Sequence, residues 1–152
     1  MLVRVLILVT VLQLVSGLEK AELVKDLAVI DNRTYYFSEF VANTLDGAVL
    51  CADVNMTMLS LETVEEHTAV ANFLQNLNNN ITYWTSGVHV IGDWLWSGSG
   101  TMFSSAMWDV GEPDETDITR QTCVLLQHPS GKLNDYDCYF TFYIACEQRD
   151  CS

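Results

Sequence analysis

Oxygen-bearing side chains gather at two places in this 152-residue chain: Glu112, Asp114, Glu115 and Asp117 around Pro113, and Asn134-Asp135 further along. Carboxylate and amide oxygens are hard ligands, of which a calcium ion takes roughly six to eight. Glu112 and Asp114 flank a proline, so both side chains can point the same way from a rigid turn. Taken alone, such a cluster reads as solvated acids on a loop. Other chemistries are not spelled out. His67, His89 and His128 are scattered, with no spacing that would gather zinc ligands. Ser97-Gly98-Ser99-Gly100 lacks the nucleophile-elbow pattern, and Pro129-Ser130-Gly131-Lys132 lacks the first glycine and the length of a phosphate loop. Both read as turns, and the chain is read as a non-enzyme.

The elements that would position the acids can be followed along the chain. Residues 1–17 carry Arg4, an apolar run from Val5 and then small Ser16-Gly17, which is the pattern of a signal peptide. The run is short of the roughly 20 residues that span a bilayer, so a secreted product is expected, with residues 18–152 as a single domain. Arg4 is the only charged residue among the first seventeen, so its removal takes the formal charge from -13 to -14. That acid surplus excludes a nucleic-acid partner, because phosphate binding needs an excess of Lys and Arg.

Val29–Ser38 reads as a strand or hairpin arm, rich in β-branched and aromatic residues. Two helices are expected next. Leu45, Val49 and Ala52 recur at helical spacing between about Asn43 and Val54, with Gly47 as the weak point. Thr63 and Glu66 form a capping-box pattern ahead of the stripe Val70, Phe73, Leu74 and Leu77, which reads as core, and Asn78-Asn79-Asn80 ends that helix. From Ser86 to Thr122 the chain is rich in glycine, acids and tryptophan without sustained periodicity, and is expected to be a long structured loop. Cys123–Gln127 is an apolar strand, and Phe140, Phe142, Ile144 and Cys146 alternate on a final one. This element order is α+β.

Five cysteines in a secreted chain imply disulfides with one thiol left over. Asn32-Arg33-Thr34, Asn55-Met56-Thr57 and Asn80-Ile81-Thr82 are N-glycosylation sequons, which makes Asn32, Asn55 and Asn80 candidate glycan carriers.

Together these features resemble the C-type lectin-like domain family, over a core of about residues 29–147. Tyr83-Trp84-Thr85-Ser86-Gly87 is similar to the family's aromatic-Trp-x-Gly strand with one extra residue, and Trp94-Leu95-Trp96-Ser97 and Trp108 fall at its loop and core tryptophans. Glu112-Pro113-Asp114 resembles its Glu-Pro-Asn or Gln-Pro-Asp motif, Leu133-Asn134-Asp135 its Trp-Asn-Asp motif, and Ile144-Ala145-Cys146-Glu147 its last strand.

The resemblance implies two helices on small antiparallel sheets with a long loop region. It pairs Cys51 with Cys146 and Cys123 with Cys138, leaving Cys151 over; an odd cysteine in a secreted chain is often intermolecular, so a disulfide-linked homodimer through Cys151 is expected. It implies a cis bond before Pro113 and a calcium ion held by Glu112, Asp114, Gln121, Asn134 and Asp135, with Asp135 adding its backbone carbonyl. Two positions depart from the mannose-type pattern: Asp114 stands where Asn is usual and Gln121 where Glu is usual. One acid is gained and one lost, so the ligands still carry -3. Glu115 or Asp117 are alternatives to Gln121, and Thr122 argues against a second calcium site. Sugar would bind at Glu112, Asp114, Gln121 and Asn134. The function this implies is calcium-dependent recognition of glycans on microbes or glycoproteins; the alternative is a calcium-independent protein-binding module on the same scaffold.

Overall fold

The computed structural model describes residues 27–77, 80–114 and 122–149. The first two strands, β1 (Leu27–Ile30) and β2 (Arg33–Ala42), form a hairpin turned at Asp31 and Asn32, both in the left-handed region at φ 46° and 65°. Helix α1 (Thr44–Asp53), strand β3 (Met56–Met58) and helix α2 (Val64–Leu77) follow. Strands β4 (Tyr83–Val90) and β5 (Asp93–Trp96) then lead to a short 3-10 turn, Ser105–Met107. Strands β6 (Thr122–Leu126), β7 (Leu133–Asp137) and β8 (Phe142–Gln148) complete an α+β fold.

The sheet runs β1-β2-β8-β4-β6-β7, with β3 also pairing β8 and β5 pairing β4. Its two faces bury two clusters, as the period-2 alternation of a strand requires. Val124 and Leu126 of β6 join Tyr35, Val70, Leu74, Trp96, Leu133 and Ala145 on the α2 side. Cys123 and Leu125 join Cys51, Trp84, Ile144 and Cys146 on the α1 side. Full burial of an aliphatic side chain such as Val70 or Leu74 contributes about 1.5–3 kcal/mol.

Two disulfides cross this core. Cys51–Cys146 ties α1 to β8 across 95 positions, and Cys123–Cys138 closes a 15-position loop between β6 and the end of β7. Restricting the unfolded chain over such loops stabilises by about 4.7 and 3 kcal/mol.

Several expectations are corrected. Helix α1 forms, capped by Asn43 Oδ1 accepting from the Asp46 amide at 2.9 Å, but Leu45 and Val49 face outward, 75% and 57% exposed. Its buried face is Gly47 and Cys51. A Cβ on Gly47 would lie 2.6 Å from Ile144 Cδ1, so the glycine that weakens the helix is what lets it sit close to β8. In α2, Val70 and Leu74 are core while Leu77 is exposed. The capping box closes on one side only: Thr63 Oγ1 accepts from the Glu66 amide at 3.1 Å. The Glu66 carboxylate instead accepts from Arg33, the Tyr35 hydroxyl and the Glu62 amide.

The segment expected to be loop from Ser86 begins as a hairpin, because Ile91 and Gly92 both adopt positive φ, 52° and 90°, and turn β4 into β5. An Ile-Gly turn lacks the polar first residue by which such hairpins are usually read. The last strand starts at Phe142, and Phe140 lies outside it on the surface.

Candidate functional site

The acids around Pro113 are placed by what precedes them. Trp96 stacks on Phe103 at 3.9 Å between ring centroids, and Trp94 meets Trp108 edge-on at 4.9 Å. This aromatic cluster anchors Trp108, whose backbone bridges in parallel to Leu133 at the start of β7. The Asp109 amide then donates to the Leu133 carbonyl at 2.9 Å, and the Glu112 amide to the Asp109 carbonyl at 3.1 Å. Gly111, at φ 92°, completes this tight turn. The turn is a positioning element that the sequence reading did not single out, although Asp109-Val110-Gly111 carries turn-forming residues.

The consequence is that the loop at 112–114 lies against Asn134 and Asp135. Asn134 Nδ2 donates to Glu112 Oε1 at 2.6 Å. The Asp114 amide donates to Asp135 Oδ1 at 3.0 Å and to Glu112 Oε2 at 3.1 Å. The Glu112–Pro113 bond is cis. Oxygens of Glu112, Asp114 and Asp135 all lie within 4.8 Å of one another, the one such group of three among the described residues. Asp135 is buried, Glu112 and Asn134 are half-buried, and Asp114 is exposed.

This crowding has an electrostatic cost. Burial first, then the hydrogen bond with Asp135 and the charges of Asp114 and Asp135, raise the Glu112 pKa from 4.5 to about 7, while the Asp114 backbone amide acts in the opposite direction. None of the groups acting on Glu112 is cationic. Three carboxylates with a neighbouring amide are the donor chemistry of a calcium site, and a divalent cation would replace both the proton and the repulsion. Of the predicted ligands, four are thus together: Glu112, Asp114, Asn134 and Asp135. Gln121 and its alternatives Glu115 and Asp117 lie outside the described residues, as do residues 1–17 and Cys151.

Two of the three histidines are occupied elsewhere, whereas Nδ1 of His128 is buried without a hydrogen-bond partner among the described residues. His67 Nε2 bonds the Gly131 carbonyl at 2.6 Å and burial lowers its pKa, while His89 packs against Trp94. Asn32, Asn55 and Asn80 are all exposed and all adopt positive φ, Asn32 and Asn55 at turns.

Comparison with known proteins adds to this geometry. Residues 42–148 match the family model described as the lectin C-type domain. The C-type lectin mosGCTL-7 of Aedes aegypti is 26% identical over 128 residues, covering 77% of this chain and 84% of that protein. TC14, a C-type lectin from the tunicate Polyandrocarpa misakiensis, has a similar structure with a TM-score of 0.67 at 21% identity, covering 78% of this chain and 98% of that one. SPL-1 in its GlcNAc complex gives a TM-score of 0.71 at 21% identity, over 83% and 93%. At such identities the solved structures speak for the fold; function has to be argued from the site.

Proposed function

The chain belongs to the C-type lectin family, and from that membership we propose that it is a secreted, calcium-dependent carbohydrate-binding protein. The observation that carries the reading is the convergence of Glu112, Asp114 and Asp135 within 4.8 Å beside the Asn134 amide. Glu112, Asp114, Asn134 and Asp135 would hold the calcium, with Gln121 as fifth side chain or Glu115 or Asp117 in its stead. Bound there, the ion would supply a Lewis-acidic point for sugar hydroxyls. Around it, Glu112 and Asp114 accept hydrogen bonds, and Asn134 and Gln121 offer amides. SPL-1, a structural neighbour, is known in complex with GlcNAc, and a glycan is the ligand class proposed.

Export is part of the proposal: residues 1–17 act as a signal peptide, and 18–152 form one domain. The exposure of Asn32, Asn55 and Asn80 suits glycan attachment at all three. Four of the five cysteines are consumed in two bonds, which leaves Cys151 to link two copies. Such a dimer would raise avidity on repeated glycans and would run as a reducible dimer on a non-reducing gel.

A glycan array probed in calcium and in chelator tests the central reading. Binding in calcium that disappears in chelator supports it. Binding to a protein partner that is equal in both, with no glycan bound, would overturn it in favour of a calcium-independent interaction module.

A further inference from the structure

Apart from the acidic site, the molecule holds a cavity of about 480 Å³ between α1, the outer half of β4 and the Cys123–Cys138 bond. The volume is within the range of roughly 300–1,000 Å³ typical of small-molecule sites. Leu45, Ala48, Met58 and Val88 contribute its walls together with the disulfide.

Its polar lining is largely engaged inside the chain. Thr85 Oγ1 donates to the Val124 carbonyl at 2.7 Å, Ser86 and Ser60 hydroxyls bond each other at 2.8 Å, and the Thr44 hydroxyl reaches the Cys138 carbonyl at 3.4 Å. The Asn43 amide is spent on Asp46. No Asp, Glu, Lys or Arg lines the cavity among the described residues, although the chain carries a formal charge of -13. His89, Ser97 and Thr122 add polar atoms to the lining, but most of what faces the cavity is apolar.

The mouth is apolar too. Leu45 is 75% exposed and Tyr139 79% exposed, and Val90 is also exposed beside them. Leu45 belongs to the helical stripe whose periodicity suggests a buried face, yet it has no cover from the described chain. An apolar stripe at the lip of an uncharged cavity is where an apolar ligand gains most, since burial stabilises in proportion to the area removed from water.

We propose that this cavity binds a neutral alkyl chain, such as the aliphatic tail of an uncharged amphiphile. A charged headgroup would find no Asp, Glu, Lys or Arg to pair with in the lining, and most of the hydroxyls that a sugar would need are already engaged inside the chain. The site is separate from the acidic cluster and does not depend on calcium.

The experiment titrates the oxidised protein with 1-butanol, 1-hexanol and 1-octanol while amide NMR shifts are followed, in calcium and in chelator. Saturable shifts at Ala48, Val88 and Thr122 are expected, with affinity rising about fourfold for each methylene buried, equally in both conditions. Ala48→Phe fills the cavity and should weaken octanol binding at least tenfold. Leu45→Ser, at an exposed position, should weaken it severalfold without touching the core. Absence of saturable shifts, or undiminished binding in a folded Ala48→Phe protein, would overturn the proposal. So would self-association abolished by Leu45→Ser without alcohol binding, which would make this face a contact between copies.

Discussion

The backbone amide of Asp114 donates to Oδ1 of Asp135 at 3.0 Å, across 21 positions of sequence. This bond holds the loop against β7 through the main chain, so it survives any change of the Asp114 side chain. The loop is thereby set in place while its carboxylates still repel one another, an arrangement that a cation would relieve.

Calcium should therefore stabilise the protein, by about 2.7 kcal/mol at a hundredfold excess over the dissociation constant. Asp135→Asn keeps an oxygen to accept from Asp114 but removes one of the crowded charges. Its melting temperature in chelator should equal or exceed that of the parent, and its calcium-dependent shift should be lost. A calcium shift as large as the parent's would place the ion elsewhere.

The pH dependence follows from Glu112. Its pKa in the folded chain, about 7, lies above the ordinary 4.5. A raised carboxyl contributes stability that is fully present below about 4.5 and is lost as pH rises through about 7. In chelator the protein should thus be more stable near pH 5 than near pH 8 so far as this group is concerned. Glu147, buried on β8 and likewise raised to about 7 chiefly by burial, acts in the same direction. Glu112→Gln should reduce the pH dependence and leave the Glu147 part. Calcium has to displace the Glu112 proton, so calcium affinity should fall from pH 8 to pH 5.5, with proton release measurable by calorimetry in buffers of different ionisation enthalpy. Calcium affinity flat across that range would contradict this role for Glu112.

Sugar preference follows from counting donors and acceptors. In the family's mode each of two sugar hydroxyls meets one acid and one amide. Here Glu112 and Asp114 are both acids, and Gln121 and Asn134 are both amides. One hydroxyl then lacks a donor, at a cost of about 1–3 kcal/mol, or roughly tenfold to hundredfold in affinity. Simple mannose or galactose should bind weakly, with useful affinity from anionic or extended glycans or from multivalency. The double variant Asp114→Asn with Gln121→Glu keeps the ligand charge at -3 and should strengthen mannose binding in calcium beyond either single change. No gain in a mannose titration would mean that Gln121 is not a ligand or that the site does not take sugar.

Gly47→Ala tests the packing beneath α1. Alanine favours a helix by about 1 kcal/mol, but its Cβ would meet Ile144 atoms at 2.6, 3.2 and 3.3 Å. Overpacking costs about 1–3 kcal/mol, so a net loss of stability is expected in denaturant melts. A stabilised variant would mean that Ile144 swings aside freely.

The one-dimensional pattern was enough to read the elements whose own residues determine them. The spacing of Val70 and Leu74 marks the buried side of α2, and Phe142, Ile144 and Cys146 alternate along β8. The acid motif around Pro113 and the Asn134-Asp135 pair were legible as two oxygen-rich segments, because residue type alone says which atoms can face a cation. Other features depend on what lies across the fold. Leu45 and Val49 satisfy helical periodicity yet face outward, since the close approach of Gly47 to Ile144 decides which side of α1 meets β8. Glu147 is buried beside Ser60 and Arg33, which come from distant parts of the chain. The meeting of Glu112 with Asn134 and Asp135 required the bridge from Trp108 to Leu133. Periodicity records which residues share a face, but the burial of Glu112 and its distance from the other carboxylates, which together raise its pKa, are set by contacts between segments far apart in sequence.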